Sequence, residues 1–173
     1  LSAPSGEVIK VAAGKTLDLH AQGTTKMPAG SVIQVLTTRL TTALSTSSTS
    51  FVDVGGSITI TPKYANSLIY VMFKSHVYLS NGNAGWKAAN FKMLRGSTIL
   101  AGSENDGNYG AAIHTSATET HIMWNYVRDY TDLPNTTSAI VYKPQVMAFS
   151  GNAMQINAAH AGGGSMTIME ISQ

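Results

Sequence analysis

Apolar and polar residues alternate with a period of two along most of this chain, which is the side-chain spacing of a β-strand. From Ser67 to Leu79 one strand face carries five large apolar residues, and we predict that it packs in a core. These residues are Ile69, Val71, Phe73, Val77 and Leu79. The opposite face is apolar at Leu68, Tyr70 and Met72 but polar from Lys74 onwards. A strand half covered by another subunit has this mixture, so we predict a subunit interface at these three apolar residues.

The same alternation predicts further strands at Thr120–Tyr130, Ser138–Phe149 and Ser165–Ile171. Turn-forming sequences separate the strands, among them Asn81-Gly82-Asn83 and Ser150-Gly151-Asn152. No amphipathic helix of convincing length is present. Many strands with regular turns and no helices predict an all-β fold, an antiparallel sandwich or jelly roll.

The segment Pro28–Pro62 reads PAGSVIQVLTTRLTTALSTSSTSFVDVGGSITITP, which is β-forming sequence with almost no charge. Its phrases PAGSVIQV, SFVDV and SITITP are followed in order by SLIYVMFKSHVYL, NFKMLRGSTILAG, TSAIVYKPQV and SMTIMEI. This order resembles the C-terminal head domains of bacteriophage tail fibres, over Pro28–Gln173. The resemblance implies a trimeric jelly roll similar to tumour-necrosis-factor-like heads. Both chain ends would lie at its base, with Asn81–Lys87 and Ser150–Gly164 in the distal loops.

Residues 1–27 differ in character from the rest. Their few apolar residues stand among glycines and lysines, which is too little to form an independent core. The resemblance implies the end of a trimeric shaft, and a flexible linker is the alternative. We therefore expect an N-terminal shaft or linker segment at 1–27 and a head domain at 28–173. The chain starts LSAPSGEVIK, without an initiator Met or a signal peptide, so we expect it to be a piece of a longer protein.

Composition narrows the range of partners. Charged residues make up 12% of the 173 residues, and the formal net charge is +2. Lys and Arg occur singly rather than in clusters, so we expect no nucleic acid partner. No run of about 18 apolar residues occurs, so we expect no membrane insertion. With no cysteine in the chain, a fold of this size must rely on its core rather than on disulfides.

Catalytic and metal-binding motifs are not evident. The sequence contains no P-loop, nucleophile elbow or H-E-x-x-H helix, and its nine carboxylates are dispersed. We predict that the protein is not an enzyme, although carboxylates brought together by folding could still form a glycosidase site. The five histidines have no ligand spacing, so we predict neither a metal site nor a cofactor. A trimer axis could nevertheless bring three copies of one histidine together, and surface or hydrogen-bonded histidines are the alternative.

Three loops combine amide and aromatic side chains in a way that suits saccharides. Amides satisfy sugar hydroxyls, and a flat ring covers the apolar side of a sugar. The candidate glycan-binding residues are Asn81, Asn83, Trp86, Asn108, Tyr109, Asn152, Asn157 and His160. The alternative is that Trp86 packs back into the sandwich and that the asparagines only serve turns.

Together with the resemblance, these loops imply a homotrimeric receptor-binding domain on the outer face of a virion. Its function would be host adsorption through a bacterial surface polysaccharide or another cell-surface receptor. Two other classes stay open. One is a structural virion component, either a capsid decoration protein or a head fibre. The other is a carbohydrate-binding module of a secreted bacterial enzyme.

Overall fold

The computed structural model describes residues 11–16, 27–81, 85–100, 109–115, 120–149, 153–157 and 163–173. These ranges contain twelve strands and no α-helix. The strands are β1 (Val32–Arg39), β2 (Leu44–Thr46), β3 (Val52–Asp53), β4 (Ile58–Ile60), β5 (Leu68–Asn81), β6 (Gly85–Arg95), β7 (Thr98–Ile99), β8 (Tyr109–Thr115), β9 (Thr120–Asp132), β10 (Ile140–Ala148), β11 (Ala153–Ile156) and β12 (Ser165–Ile171).

The strands form two antiparallel sheets, which confirms the predicted all-β class. The front sheet has the order β1-β12-β5-β11-β2, and β9 pairs with the other edge of β5. The back sheet has the order β3-β10-β6-β7, with β4 paired to β10 and β8 paired to β6. β5 is the central element of the front sheet. It pairs with β9 along its whole length on one side, and with β12 and then β11 on the other.

The core lies between the two sheets, and the prediction that one side of β5 packs in the core is confirmed. Its five apolar residues are all 0–1% exposed. Phe73 of β5 packs against Phe91 of β6 with ring centroids 6.1 Å apart, which joins the sheets. Phe91 in turn stacks on Tyr126 of β9 at 4.0 Å. Aromatic pairs of this kind stabilise a core beyond their buried area.

A proline lies inside a paired strand of the back sheet. Pro144 falls where β10 changes partner, because residues 140–142 pair with β4 and residues 145–146 pair with β3. The carbonyl of Pro144 accepts the N–H of Val54 at 3.0 Å, so its nitrogen faces the same side. On the other side, the carbonyl of Met93 accepts from Leu100 and not from β10. The missing N–H of Pro144 therefore removes no bond between β10 and β6.

Residues 27–30 and Ser172 lie together at one end of β5. Gly30 donates its N–H to the carbonyl of Ser172 at 2.8 Å, and the Ser172 hydroxyl donates to the carbonyl of Met27. Residue 68 pairs with Ile171 here, whereas Asn81 ends β5 roughly 40 Å away at the usual rise per residue. We call these the base end and the distal end. Residues 1–10 and 17–26 lie outside the described residues, so the predicted shaft segment stays a prediction.

Within the described part of the chain, no helix is long and apolar enough to cross a membrane.

Candidate functional site

Four strand ends meet at the distal end. Asn81 of β5 pairs with Thr120 of β9, and Gly85 of β6 pairs with Thr115 of β8. The last residues of β5 and β8 and the first residues of β6 and β9 therefore lie at this end. Connections at one end of a rigid pair of sheets can vary without disturbing the core, which is why binding residues concentrate in them.

Among the described residues, Trp86 is the most exposed large apolar side chain at this end. Its neighbours Lys87 and Ala89 are buried, but Trp86 points outward from the back sheet and is 60% exposed. It pairs across the sheet with His114, with the two rings 5.2 Å apart and at 72° to each other. The alternative that Trp86 packs back between the sheets is therefore wrong. The edge contact with His114 leaves an aromatic surface that a sugar ring could cover.

A second aromatic pair lies on the outer face of the front sheet. Tyr78 stacks on His121 at 5.6 Å with the rings nearly parallel, and its hydroxyl lies 2.5 Å from the Nδ1 atom of His121. The contact is diagonal across β5 and β9 and depends on their register, which the sequence alone does not show. Because the two aromatic pairs lie on opposite sheets, they do not form one continuous site.

Asn157 is a correction to the predicted glycan-binding set. Its side chain is 6% exposed, and its Nδ2 atom donates to the carbonyls of Leu40 at 2.8 Å and Thr42 at 3.2 Å. Its Oδ1 atom accepts the N–H of Gly164 at 3.1 Å. The residue also has a positive φ of 56°, a conformation that asparagine tolerates better than most residues. Asn157 ties three segments of the fold together, and its amide is not available to a saccharide.

The remaining predicted loop residues have no described side chains. Asn81 is the last residue of β5 and Tyr109 is the first of β8, but only their backbone is described. The others, Asn83, Asn108, Asn152 and His160, lie outside the described residues. Their glycan-binding role stays a prediction.

The predicted interface residues point outward from the front sheet and are half-buried. Tyr70 pairs with Met169 of β12, which in turn pairs with Val35 of β1. Val35 is 52% exposed. We call this surface the apolar face, comprising Val35, Leu68, Tyr70, Met72, Met169 and Ile171. It extends the predicted interface across three strands, which the sequence alone could not show.

A charged cluster at the base end is satisfied internally. Arg95 donates to both carboxylate oxygens of Asp132, at 2.8 and 3.0 Å, and Tyr142 donates to the same carboxylate at 2.6 Å. Burial, and then the neighbouring carboxylate, raise the pKa of the Tyr142 hydroxyl. Surface hollows of 490 and 280 Å³ flank Arg95. Because its charge is matched by Asp132, we assign the cluster to structure rather than to binding.

In the ranges that the structure describes, no group of three or more His, Cys, Asp or Glu side chains could hold a metal ion.

Comparison with protein-family models finds no family that matches this chain, and comparison with curated proteins finds no matching relative.

Proposed function

We propose that this chain is the distal receptor-binding domain of a bacteriophage tail fibre and that it binds a bacterial surface glycan. The observation that carries the proposal is the exposed Trp86 ring at the end of the sheets opposite Met27 and Ser172. A head attached through its base presents this end to a cell. The resemblance of Pro28–Gln173 to tail-fibre heads supports the same function.

The chemistry of recognition would combine the Trp86 ring with the amides of the adjoining loops. An aromatic face covers the apolar side of a sugar, and amides exchange hydrogen bonds with its hydroxyls. A site open to solvent on one side would bind each sugar weakly, at about millimolar affinity or roughly 4 kcal/mol. Several copies engaged on one cell can gain factors of about 10² to 10⁴ in avidity.

The proposed head is a homotrimeric jelly roll. The two antiparallel sheets are compatible with that topology, and the apolar face supports association with further copies of the chain. An exposed surface of contiguous apolar side chains is typical of a protein interface. The trimer would also supply the avidity that weak sites need.

The proposal is tested by adding fluorescent head protein to cells of the phage host. Trp86→Ala should lower cell binding about tenfold or more, and it should abolish the ability of the head to block phage adsorption. Leu133→Ala is the matched control, since Leu133 is an apolar side chain of similar exposure, 54%, near the base end. Asn152→Ala tests the contribution of the adjoining loop.

One outcome would replace the proposal by its rival. If the wild-type head neither coats host cells nor competes with phage, but binds assembled capsids, the chain is a capsid decoration protein or head fibre. Equal cell binding by wild type and Trp86→Ala would remove the distal aromatic surface from the site.

A further inference from the structure

A hollow of 380 Å³ lies on the outer face of the front sheet, midway along β5. Its position follows from the way β5 changes partner. The pairing with β12 ends at Lys74, and the pairing with β11 begins at Val77. Neither strand continues the ladder between them, where the N–H of Asn157 donates to the carbonyl of His76 at 2.9 Å. The hollow opens at this gap, with Gly163 on its rim.

Three polar side chains converge on the hollow. Lys74 and His76 are two residues apart on β5 and therefore project from the same face. Asn125 of β9 lies directly opposite His76, and Val127 lies directly opposite Lys74. Side chains opposite each other on paired strands are about 5 Å apart at Cβ, and diagonal neighbours about 7 to 8 Å. One ligand can therefore contact the lysine, the imidazole and the amide together.

The hollow carries a positive charge that the described part of the fold does not neutralise. Ion pairs among the described residues are Arg95–Asp132 and Lys143–Asp53, and neither includes Lys74. The nearest outward-facing carboxylate on β9 is that of Asp129. It lies opposite Met72, one outward-facing pair along from the pair of Lys74 and Val127. The exposed ammonium of Lys74 is thus presented beside an imidazole and an amide, both of which exchange hydrogen bonds.

We propose that this hollow binds the anionic group of an acidic sugar, either a carboxylate or a phosphate, with the sugar ring lying over the outer face of the paired strands β5 and β9. A lysine ammonium binds such groups as a point charge, and His76 and Asn125 would bind the ring hydroxyls. Val127 is 59% exposed and offers an apolar contact to the ring. The site lies on the side of the sheets, separate from Trp86, and does not depend on the proposed role of the distal end.

The size of the hollow agrees with this ligand class. A volume of 380 Å³ is at the lower end of the range of small-molecule sites, roughly 300 to 1,000 Å³. At about 30 Å³ per water-sized group, it has room for about a dozen such groups. A single hexuronic acid has a similar number of non-hydrogen atoms, so the hollow is large enough for one acidic sugar.

The experiment titrates the folded protein with glucuronate, glucose 6-phosphate and glucose, followed by calorimetry and by ligand-observed NMR. Wild type should bind at least one of the acids at millimolar concentration and bind glucose at least tenfold more weakly. Lys74→Gln should weaken binding of the acid about tenfold or more, since a charged hydrogen bond is worth about 1.5 to 3 kcal/mol. His76→Gln should weaken it less.

Lys63→Gln is the matched control, because it removes an equal charge from an exposed lysine near the base end. It should leave affinity unchanged. Preference for glucuronate identifies a carboxylate ligand, and preference for glucose 6-phosphate identifies a phosphate ligand. The proposal is overturned if neither acid binds wild type, if glucose binds as well as the acids, or if Lys74→Gln binds like wild type.

Discussion

Glu170 is a carboxylate buried without a cation, at 0% exposure. Four donors surround it: the Ser67 hydroxyl at 2.6 Å, the Gln34 amide at 2.5 Å, and the N–H groups of Lys63 at 2.7 Å and Tyr64 at 3.2 Å. Burial alone would raise the pKa of Glu170, but these hydrogen bonds outweigh it and hold the pKa below its ordinary value. The carboxylate therefore holds residues 63–67, which precede β5, against β12.

Glu170→Gln should destabilise the fold by about 2 to 4 kcal/mol at neutral pH. The new side-chain amide would place its own N–H donors against the donors that now bind the carboxylate. The effect should depend on pH. Since the folded-state pKa is lowered, the contribution of Glu170 is present above the ordinary value of 4.5 and is lost as pH falls through the folded-state value. Urea unfolding of both proteins between pH 7 and pH 3 measures this. A stability difference that does not shrink on acidification would contradict the role of the charged form.

Alternation in SMTIMEI places Glu170 on the same face as Met166 and Ile168, so its inward direction could be read from the sequence. Its partners could not be, because Lys63 and Ser67 are more than a hundred residues away. The same reason explains the error at Asn157. Its neighbours in the chain look like a turn, whereas its hydrogen bonds reach Leu40, 117 residues earlier.

At the scale of the strands, Pro144 shows how a sheet accommodates a residue that has no backbone N–H to donate. Its nitrogen faces the gap between β3 and β4, whereas the N–H of the next residue, Gln145, faces β6 by the alternation of an antiparallel ladder. A proline at residue 144 is therefore compatible with the ladder between β10 and β6, whereas a proline at residue 145 is not.

Pro144→Ala should change the free energy of unfolding by about 1 kcal/mol or less, because it alters mainly the entropy of the unfolded chain. Gln145→Pro should cost about 3 kcal/mol or more, since it removes a ladder bond to β6. Gln145→Ala is the control for the lost side-chain contact with Asp53. Equal effects of the two proline changes, measured by urea unfolding, would contradict the assigned ladder.

Strand positions were predictable because alternation is a local property. Ser165–Ile171 was predicted with the bounds that the structure gives to β12. The neighbours of each strand were not predictable, because pairing joins segments far apart in the chain. The hollow beside Lys74 depends on the registers at which β9, β11 and β12 pair with β5, so no local pattern could reveal it.

At the scale of the molecule, nothing within the described part of a single chain explains why the apolar face is exposed. Its side chains lie on β1, β12 and β5 at the base half of the front sheet. The outward-facing residues of β5 are polar from Lys74 towards the distal end, so the apolar face ends at Lys74. A partner that covers only this half leaves the distal aromatic pairs open.

Light scattering should return three times the chain mass of 18.2 kDa for the wild-type protein. Tyr70→Glu should dissociate or aggregate it, because a carboxylate buried without a partner costs several kcal/mol in each symmetric copy. Ser80→Glu is the control, since Ser80 lies on the same side of β5 beyond the apolar face. A monomer that persists at tens of micromolar would contradict the trimer and most of the fibre proposal.

The pairing of β1 with β12 has a consequence for the time at which the fold can close during synthesis. β1 is the first strand of the head to leave the ribosome, and its partner among the described strands is the last one made. Until β12 emerges, β1 has no ladder, the base half of one edge of β5 lacks its partner, and the donors around Glu170 have no acceptor. Such non-local pairing slows folding. A nascent chain therefore waits for β12, and a ribosome that stops short of Ser165 releases a chain with a β1 edge open to aggregation.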